Sequence, residues 1–303
     1  MAAVNVRRWL SGILVVLAGL MALTGCLGSS HPGAVAVVAS TDVWGSVARA
    51  VTGRHLAVKS ILTGADVDPH SYQASPSDAA AIADASLVVY NGGGYDPWVD
   101  HVLATHPAIK SIDAYSLLGT ADTSGGQRPN EHVFYNLSVA KTVASAIAER
   151  LATIDSRNAA DYRANAAAFC RDADAIAVDE HAIAGAYPGA GVVATEPVAY
   201  YLLAAAGLVN RIPAGFLAAT ENDSDPSPAD MASTLELINR RQVLALLVNP
   251  QTSTSATDGL QVAARRAGVP VTHVTETLPN DTDYLTWQRN TVNQLTAALQ
   301  SGR

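Results

Sequence analysis

The stretch Val58-Lys59-Ser60-Ile61-Leu62-Thr63-Gly64-Ala65-Asp66-Val67-Asp68-Pro69-His70-Ser71-Tyr72-Gln73, followed by Ala74-Ser75-Pro76-Ser77-Asp78, organises the reading of the whole chain. Val58 to Leu62 reads as a buried strand. The chain then turns on acidic residues and a proline and delivers one histidine. Pro69 fixes its own φ and pushes Asp68 into an extended conformation, so the backbone ahead of His70 is well specified. A neutral imidazole on a stiffened loop at the exit of a strand is a good first metal ligand. Ser75-Pro76-Ser77-Asp78 then opens a helix with proline in its first turn. A lone histidine in a turn is more often a plain surface residue, so the weight of His70 depends on what other stretches supply.

Outward from that unit, strand and helix alternate. Upstream, Val35 to Ala39 reads as a buried strand, and Ser40-Thr41-Asp42 caps a helix carrying Val43, Val47 and Val51. Downstream, Leu87 to Tyr90 is a strand ending in Asn91-Gly92-Gly93-Gly94. That loop lacks the Lys-Ser/Thr of a phosphate loop and is a turn. Trp98 and Val102 begin a helix, and Ile109 to Ile112 is a short strand. The polar, histidine-lacking segment 119–130 is a loop that ends at Glu131-His132-Val133-Phe134-Tyr135-Asn136. Val139, Val143, Ile147 and Leu151 mark one helical face.

The longest periodic segment follows. Tyr162, Ala166, Phe169, Ala173, Ile176, Ile183 and Tyr187 recur at spacings of four, three and seven. A helix over 158–187, roughly 45 Å long at about 1.5 Å per residue, outruns a small sheet. Pro188-Gly189 stops it. A second βα series then begins, with strands at Val192 to Thr195, Val243 to Val248 and Val269 to Thr275. Glu196-Pro197 opens one of its helices, Asn222 to Pro228 is a turn-rich loop, and Tyr284, Trp287, Val292 and Leu295 mark the last helix. The predicted fold is α/β: two lobes, each a small mostly parallel sheet flanked by helices, joined by one long rigid helix. The predicted bounds are 26–157 for the N-terminal lobe, 158–187 for the helix and 188–303 for the C-terminal lobe.

Residues 1–25 stand apart. Arg7 and Arg8 form a basic region, Ile13 to Leu23 an apolar one, and Leu23-Thr24-Gly25-Cys26 ends in a cysteine where cleavage should fall. This is a signal peptide whose last residues resemble a bacterial lipobox, with Cys26 as the lipid-attachment site. Its removal takes two arginines and no acid, moving the formal charge from −8 to −10. An acidic exported chain suits cationic ligands and is a poor nucleic-acid binder. With Cys26 lipidated only Cys170 remains, which excludes an internal disulfide and a thiolate-rich metal site.

Four candidate ligands occupy equivalent places: His70, Glu196 and Glu276 follow strands, and His132 ends the long loop before a helix. In open parallel sheets, ligands collect beyond the carboxyl ends of the strands. Two such lobes facing each other would pool two imidazoles and two carboxylates, a set that neutralises a divalent cation. His31, His55, His101, His106 and His181 receive the ordinary reading of solvated or packed residues. His273, three residues before Glu276 on a strand, would point to the opposite side.

At these residues a resemblance emerges. Asp68-Pro69-His70-Ser71-Tyr72, Ser75-Pro76-Ser77-Asp78, and Asn91-Gly92 with Trp98 resemble the first-lobe signature of the zinc and manganese solute-binding lipoproteins of bacterial ABC importers, the metal-binding adhesin-like lipoproteins. Glu131-His132-Val133-Phe134 is similar to the family's second-histidine motif. Thr195-Glu196-Pro197-Val198-Ala199-Tyr200-Tyr201, running to Gly207-Leu208, resembles its third-ligand motif in the glutamate version. Pro226-Ser227-Pro228-Ala229-Asp230 and Asp283-Tyr284 to Asn290 are similar to later landmarks. The chain departs from the family at Gln73, usually an acid, at Asn130-Glu131, usually aspartate-proline, and at Asn249, commonly glutamate. The fourth ligand is commonly aspartate; Glu276 takes that place by its position at a strand end, with Asp281 and Asp283 as alternatives.

The resemblance implies a lipoprotein that is not an enzyme and is held by its lipid anchor to the outer face of the cytoplasmic membrane. It would be a monomer that captures one divalent transition metal ion, Mn2+ or Zn2+, through His70, His132, Glu196 and Glu276. It would hand that ion to an ABC-type metal permease. Two other readings compete. A zinc hydrolase would use three ligands and an open fourth position for water, but no His-Glu-x-x-His helix is present. A siderophore, haem or cobalamin receptor of the same architecture would need aromatic or arginine anchors for a large ligand.

Overall fold

The computed structural model describes residues 37–64, 69–119, 128–222, 224–279 and 282–302. The signal segment with Cys26, His31, Asp68 and Asp281 lie outside the described residues.

The first sheet is formed by β1 (Val37–Thr41), β2 (Val58–Leu62), β3 (Leu87–Tyr90) and β4 (Ser111–Asp113) in the order β2-β1-β3-β4, with every pairing parallel. β5 (Gly191–Ala194), β6 (Val209–Asn210), β7 (Leu246–Val248) and β8 (Val271–His273) form the second, in the order β6-β5-β7-β8, again parallel. Both sheets thus repeat one strand order. Parallel neighbours need crossover connections, and helices supply most of them. These include α1 (Asp42–Thr52), α2 (Pro76–Ala83) and α3 (Pro97–Thr105) in the first sheet. Thr41 caps α1 through a bond from the Trp44 N–H, and Ser75 with Asp78 forms a reciprocal capping box on α2.

The expectation of a buried strand at Val58 to Leu62 is corrected. The segment is a strand, but only Leu62 is buried, because β2 lies at the edge of its sheet. An edge strand keeps one side in solvent, which is why Lys59 and Ser60 are tolerated there. In contrast β1 and β3, in the interior, are buried along their whole length.

After α4 (Leu137–Ile154) comes α5 (Ala159–Ala186), 28 residues long. Its buried stripe, Tyr162, Ala166, Phe169, Ala173, Ile176 and Ile183, belongs to one core that takes Val37 and Val89 from the first sheet and Val192 and Leu247 from the second. A shared close-packed core resists sliding of one lobe on the other. The second lobe continues with α6 (Tyr200–Ala205), α7 (Ala214–Glu221), α8 (Pro228–Asn239) and α9 (Ser255–Ala267), and α10 (Tyr284–Ser301) closes the chain. No helix among the described residues is long and apolar enough to cross a membrane.

Hydrogen bonds tie the segment after β8 to the first lobe. Asp42, 7 % exposed, accepts from the backbone N–H groups of Gly64 and Leu278 at 3.0 and 3.1 Å. The Thr277 hydroxyl donates to the Gly64 carbonyl, and the Tyr135 hydroxyl to that of Thr275. The backbone N–H of Tyr284 donates to Ser46. Buried bonds to a carboxylate are the stronger kind, so Asp42 fixes residue 278 against residue 64.

Candidate metal site

A cavity of about 270 Å3 opens where the carboxyl ends of the two sheets meet, and His70, His132, Glu196 and Glu276 all line it. His70 arrives on the segment leaving β2. Pro69 is buried beneath it, the Tyr72 hydroxyl is anchored on Asp78, and the imidazole packs edge-on to Tyr95 with centroids 4.7 Å apart. His132, 3 % exposed, precedes a short 3-10 turn whose residues Val133, Phe134 and Tyr135 are buried in the core.

The tautomer of His132 follows from its neighbours. Asn130 Oδ1 accepts the backbone N–H of His132 at 2.9 Å, which fixes that atom as oxygen, and stands 3.1 Å from His132 Nδ1. Nδ1 therefore carries the proton and Nε2 presents its lone pair to the cavity. This is the arrangement in which an outer partner orients a metal-binding imidazole. Burial holds the His132 pKa below the ordinary histidine value, against the pull of Glu276 and Glu131, so the ring stays neutral.

Glu276 lies three residues beyond the end of β8, not at the strand end itself. Gln251 accepts its backbone N–H at 2.6 Å, and the Tyr95 hydroxyl donates to its carbonyl at 3.4 Å. Its carboxylate is 3 % exposed and points at the imidazole pair: Oε2 stands 3.6 Å from His70 Nε2 and 3.7 Å from His132 Nε2. Among the described residues nothing donates a hydrogen bond to that fully buried oxygen. Donors sharing a tetrahedral ion with ~2.1 Å bonds stand about 3.4 Å apart, close to this spacing. Burial alone would raise the Glu276 pKa, but His70 and the Asn249 amide outweigh it and hold the carboxyl below the usual glutamate range. The result is a charged carboxylate facing a neutral imidazole with its lone pair exposed, the state that receives a cation.

Glu196 stands at the start of the 3-10 turn before α6 without a side-chain capping bond, and its carboxylate is held by second-lobe donors. Asn249 Nδ2 donates to Glu196 Oε2 at 3.0 Å and to Glu276 Oε1 at 2.8 Å, and the Thr252 hydroxyl donates to Glu196 Oε1. Asn249 Oδ1 accepts the N–H of Gln251, which fixes the amide orientation. A neutral amide thus clamps both second-lobe carboxylates; a glutamate at 249 would have added a third negative charge.

Sequence reasoning missed Glu131 as a site residue. One carboxylate oxygen of Glu131 and one nitrogen each of His70 and His132 lie within 4.8 Å of one another, the group of metal-capable side chains found among the described residues. Its adjacency to His132 was the available signal. Of the alternatives to Glu276, Asp283 caps α10 by accepting from the N–H and hydroxyl of Thr286. His273 is exposed and lines a different surface depression. His55 pairs with Asp161 at 2.8 Å, away from the cavity.

Two parallel α/β sheets on a shared core and one long helix, with imidazoles and carboxylates gathered between them, define the class of helix-linked two-lobe binding proteins. The family of the periplasmic zinc-uptake complex component A matches residues 37–298, and the chain belongs to it. The chain is similar to the manganese-binding lipoprotein MntA of Bacillus subtilis, at 24% identity over 271 residues, 85% of this chain and 86% of the relative. It is also similar to the manganese ABC transporter substrate-binding lipoprotein PsaA of Streptococcus pneumoniae, at 22% over 250 residues and 78% of each chain. Among solved structures, the periplasmic zinc-binding protein TroA of Treponema pallidum superposes with a TM-score of 0.74 at 17% identity, covering 88% of this chain and 99% of that one. The solute-binding protein FpvC of Pseudomonas aeruginosa, solved with Mn2+, gives 0.72 at 22%, covering 89% and 100%.

Proposed function

We propose that this protein is the extracytoplasmic receptor of a bacterial ABC importer, and that it captures one divalent transition metal ion between its lobes. His70, His132, Glu276 and Glu196 are its ligands, with lobes at 26–157 and 188–303 about the helix 158–187. The observation that carries this reading is the buried, hydrogen-bond-lacking Oε2 of Glu276 facing two imidazole nitrogens. A buried carboxylate oxygen without a partner is costly, and a cation removes that cost. The relatives that bind manganese as lipoproteins support it further. A large chelate is disfavoured, since among the described residues the cavity lining offers imidazoles and carboxylates but no arginine, tyrosine or tryptophan to anchor one. The protein does no chemistry on its cargo and delivers it, as a monomer, to a membrane permease.

Manganese is the cargo on this reading. Two histidines with carboxylates and no cysteine form an oxygen-rich shell. Zinc still outcompetes manganese at most nitrogen and oxygen sites by the Irving–Williams order, so competition under buffered metal is the informative measurement. Replacing Glu196 by histidine should weaken Mn2+ binding at least tenfold while Zn2+ binding holds or tightens. Unchanged manganese affinity would remove the carboxylate argument for this cargo.

Cys26 anchors the receptor through lipid at the outer face of the cytoplasmic membrane. Mass spectrometry of protein extracted from membranes is expected to find diacylglyceryl mass on a terminal Cys26, and Cys26→Ala should leave uncleaved precursor. A wild-type protein carrying no lipid mass defeats the assignment.

A further inference from the structure

We propose that Glu131 is a further metal ligand in this chain, forming with His70 and His132 a three-donor set on the first lobe that receives the cation before Glu196 engages it. This rests on the receptor reading above.

The three donor atoms already lie within 4.8 Å of one another. Donors around one ion with ~2.1 Å bonds stand between about 3 Å apart when adjacent and about 4.2 Å when opposite. From that limit a contraction of about 1.4 Å brings the three donors to the ~3.4 Å spacing of a tetrahedral set. The backbone that carries Glu131 is fixed at three successive carbonyls: Tyr115 donates to Pro129, Tyr201 to Asn130 and Asn91 to Glu131. Asn130 in turn holds the ring of His132. Donors on so constrained a segment lose little freedom on binding.

Glu131 differs from Glu196 in what its carboxylate is doing. Among the described residues the Glu131 carboxylate has no hydrogen-bond or ion-pair partner, whereas Glu196 is held by Asn249 and Thr252. Asn249 and Thr252 hold Glu196 in place, whereas Glu131 already stands in one group with the two imidazoles, so an ion arriving at that pair meets Glu131 first. Glu131 also lies on the approach: with Glu221 and Asp225 it lines the cavity and adds negative charge there. Independently, the buried Oε2 of Glu276 is turned on the same imidazole pair without a hydrogen bond, so that pair is the centre on which carboxylates converge.

The test uses the purified mature protein with Mn2+ for affinity and capture rate and Co2+ for the ligand field, whose visible absorption reports the donor set. Glu131→Gln keeps the shape and the backbone clamps. It is expected to weaken Mn2+ binding at least tenfold, to slow capture, and to shift the Co2+ spectrum. Glu196→Gln should retain weak Co2+ binding that the Glu131→Gln/Glu196→Gln pair loses. A Glu131→Gln protein with the wild-type cobalt spectrum overturns the proposal even if capture slows, because loss of charge alone does not alter the ligand field. A wild-type protein that loads no ion overturns the receptor reading, and this proposal with it.

Discussion

His132→Ala is expected to abolish stoichiometric metal loading and with it the metal-dependent rise in melting temperature. In the wild type, an ion at a hundredfold excess over its dissociation constant stabilises the fold by about 2.7 kcal/mol. For a chain of this size that is a rise of about 5–10 °C in Tm. Of the proposed ligands His132 is the least replaceable by water or a neighbour, since it is 3 % exposed and its ring is fixed by Asn130. Its loss also removes a buried ring that packs edge-on against Tyr95 and Phe134. The metal-free variant should therefore melt lower as well, by the cost of a void in a close-packed region, about 2–5 kcal/mol. Acid acts in the same direction. A histidine whose folded pKa is lowered binds fewer protons folded than unfolded, so its share of stability is full above about pH 6.5 and is lost as pH falls below it. Protons then also compete with the metal. One ion per chain retained by His132→Ala, with an undiminished melting shift, would show that the metal sits elsewhere.

The second large effect concerns stability and lies away from the site. Glu180 occupies the buried stripe of α5, seven residues beyond Ala173 and seven before Tyr187, where the pattern asks for an apolar residue. It is 3 % exposed, its Oε1 has no hydrogen-bond partner among the described residues, and its charge bears on the buried phenol of Tyr284. Burial pushes its carboxyl up from the usual 4.5 to about 7. An acid with a raised folded pKa holds its proton longer in the fold than in the unfolded chain. Stability is therefore undiminished below about pH 4.5 and is lost as pH rises through about 7. The full difference is about 3 kcal/mol. Glu180→Gln should thus gain about 3 kcal/mol over wild type at pH 8.5 and little at pH 4.5, read by urea unfolding at both. The change in the difference with pH isolates the titration from any packing effect of the amide. A gap of the same size at both pH values would refute it.

Much of the fold was legible because its signals are local. The period-four and period-seven apolar series from Tyr162 to Tyr187 specifies a helix whatever it packs against, and the helix runs from Ala159 to Ala186. Ser75 with Asp78 caps α2 through bonds that span three residues. Strand burial was less accessible. Val58 to Leu62 looks like an interior strand in isolation, and only the order β2-β1-β3-β4 puts it at an edge. The helix Ala214–Glu221 was not foreseen, since it is eight residues long and its apolar side chains are spread around it rather than along one face, with Phe216 alone buried.

For the site, the sequence by itself determined which side chains are chemically able to hold a cation and that each follows a strand or ends a loop. That much depends on residue type and on neighbours within a few positions. The tertiary structure decided the rest. It brought Glu276 of one lobe to 3.6 and 3.7 Å from two imidazoles of the other, turned Asn249 into a clamp between two carboxylates, and placed Glu131 among the donors. Those distances are set by how two sheets and one long helix share a single core. Contacts between residues separated by some 140 to 240 positions, such as Tyr135 with Thr275 and Asp42 with Leu278, leave no trace in the spacing along the chain.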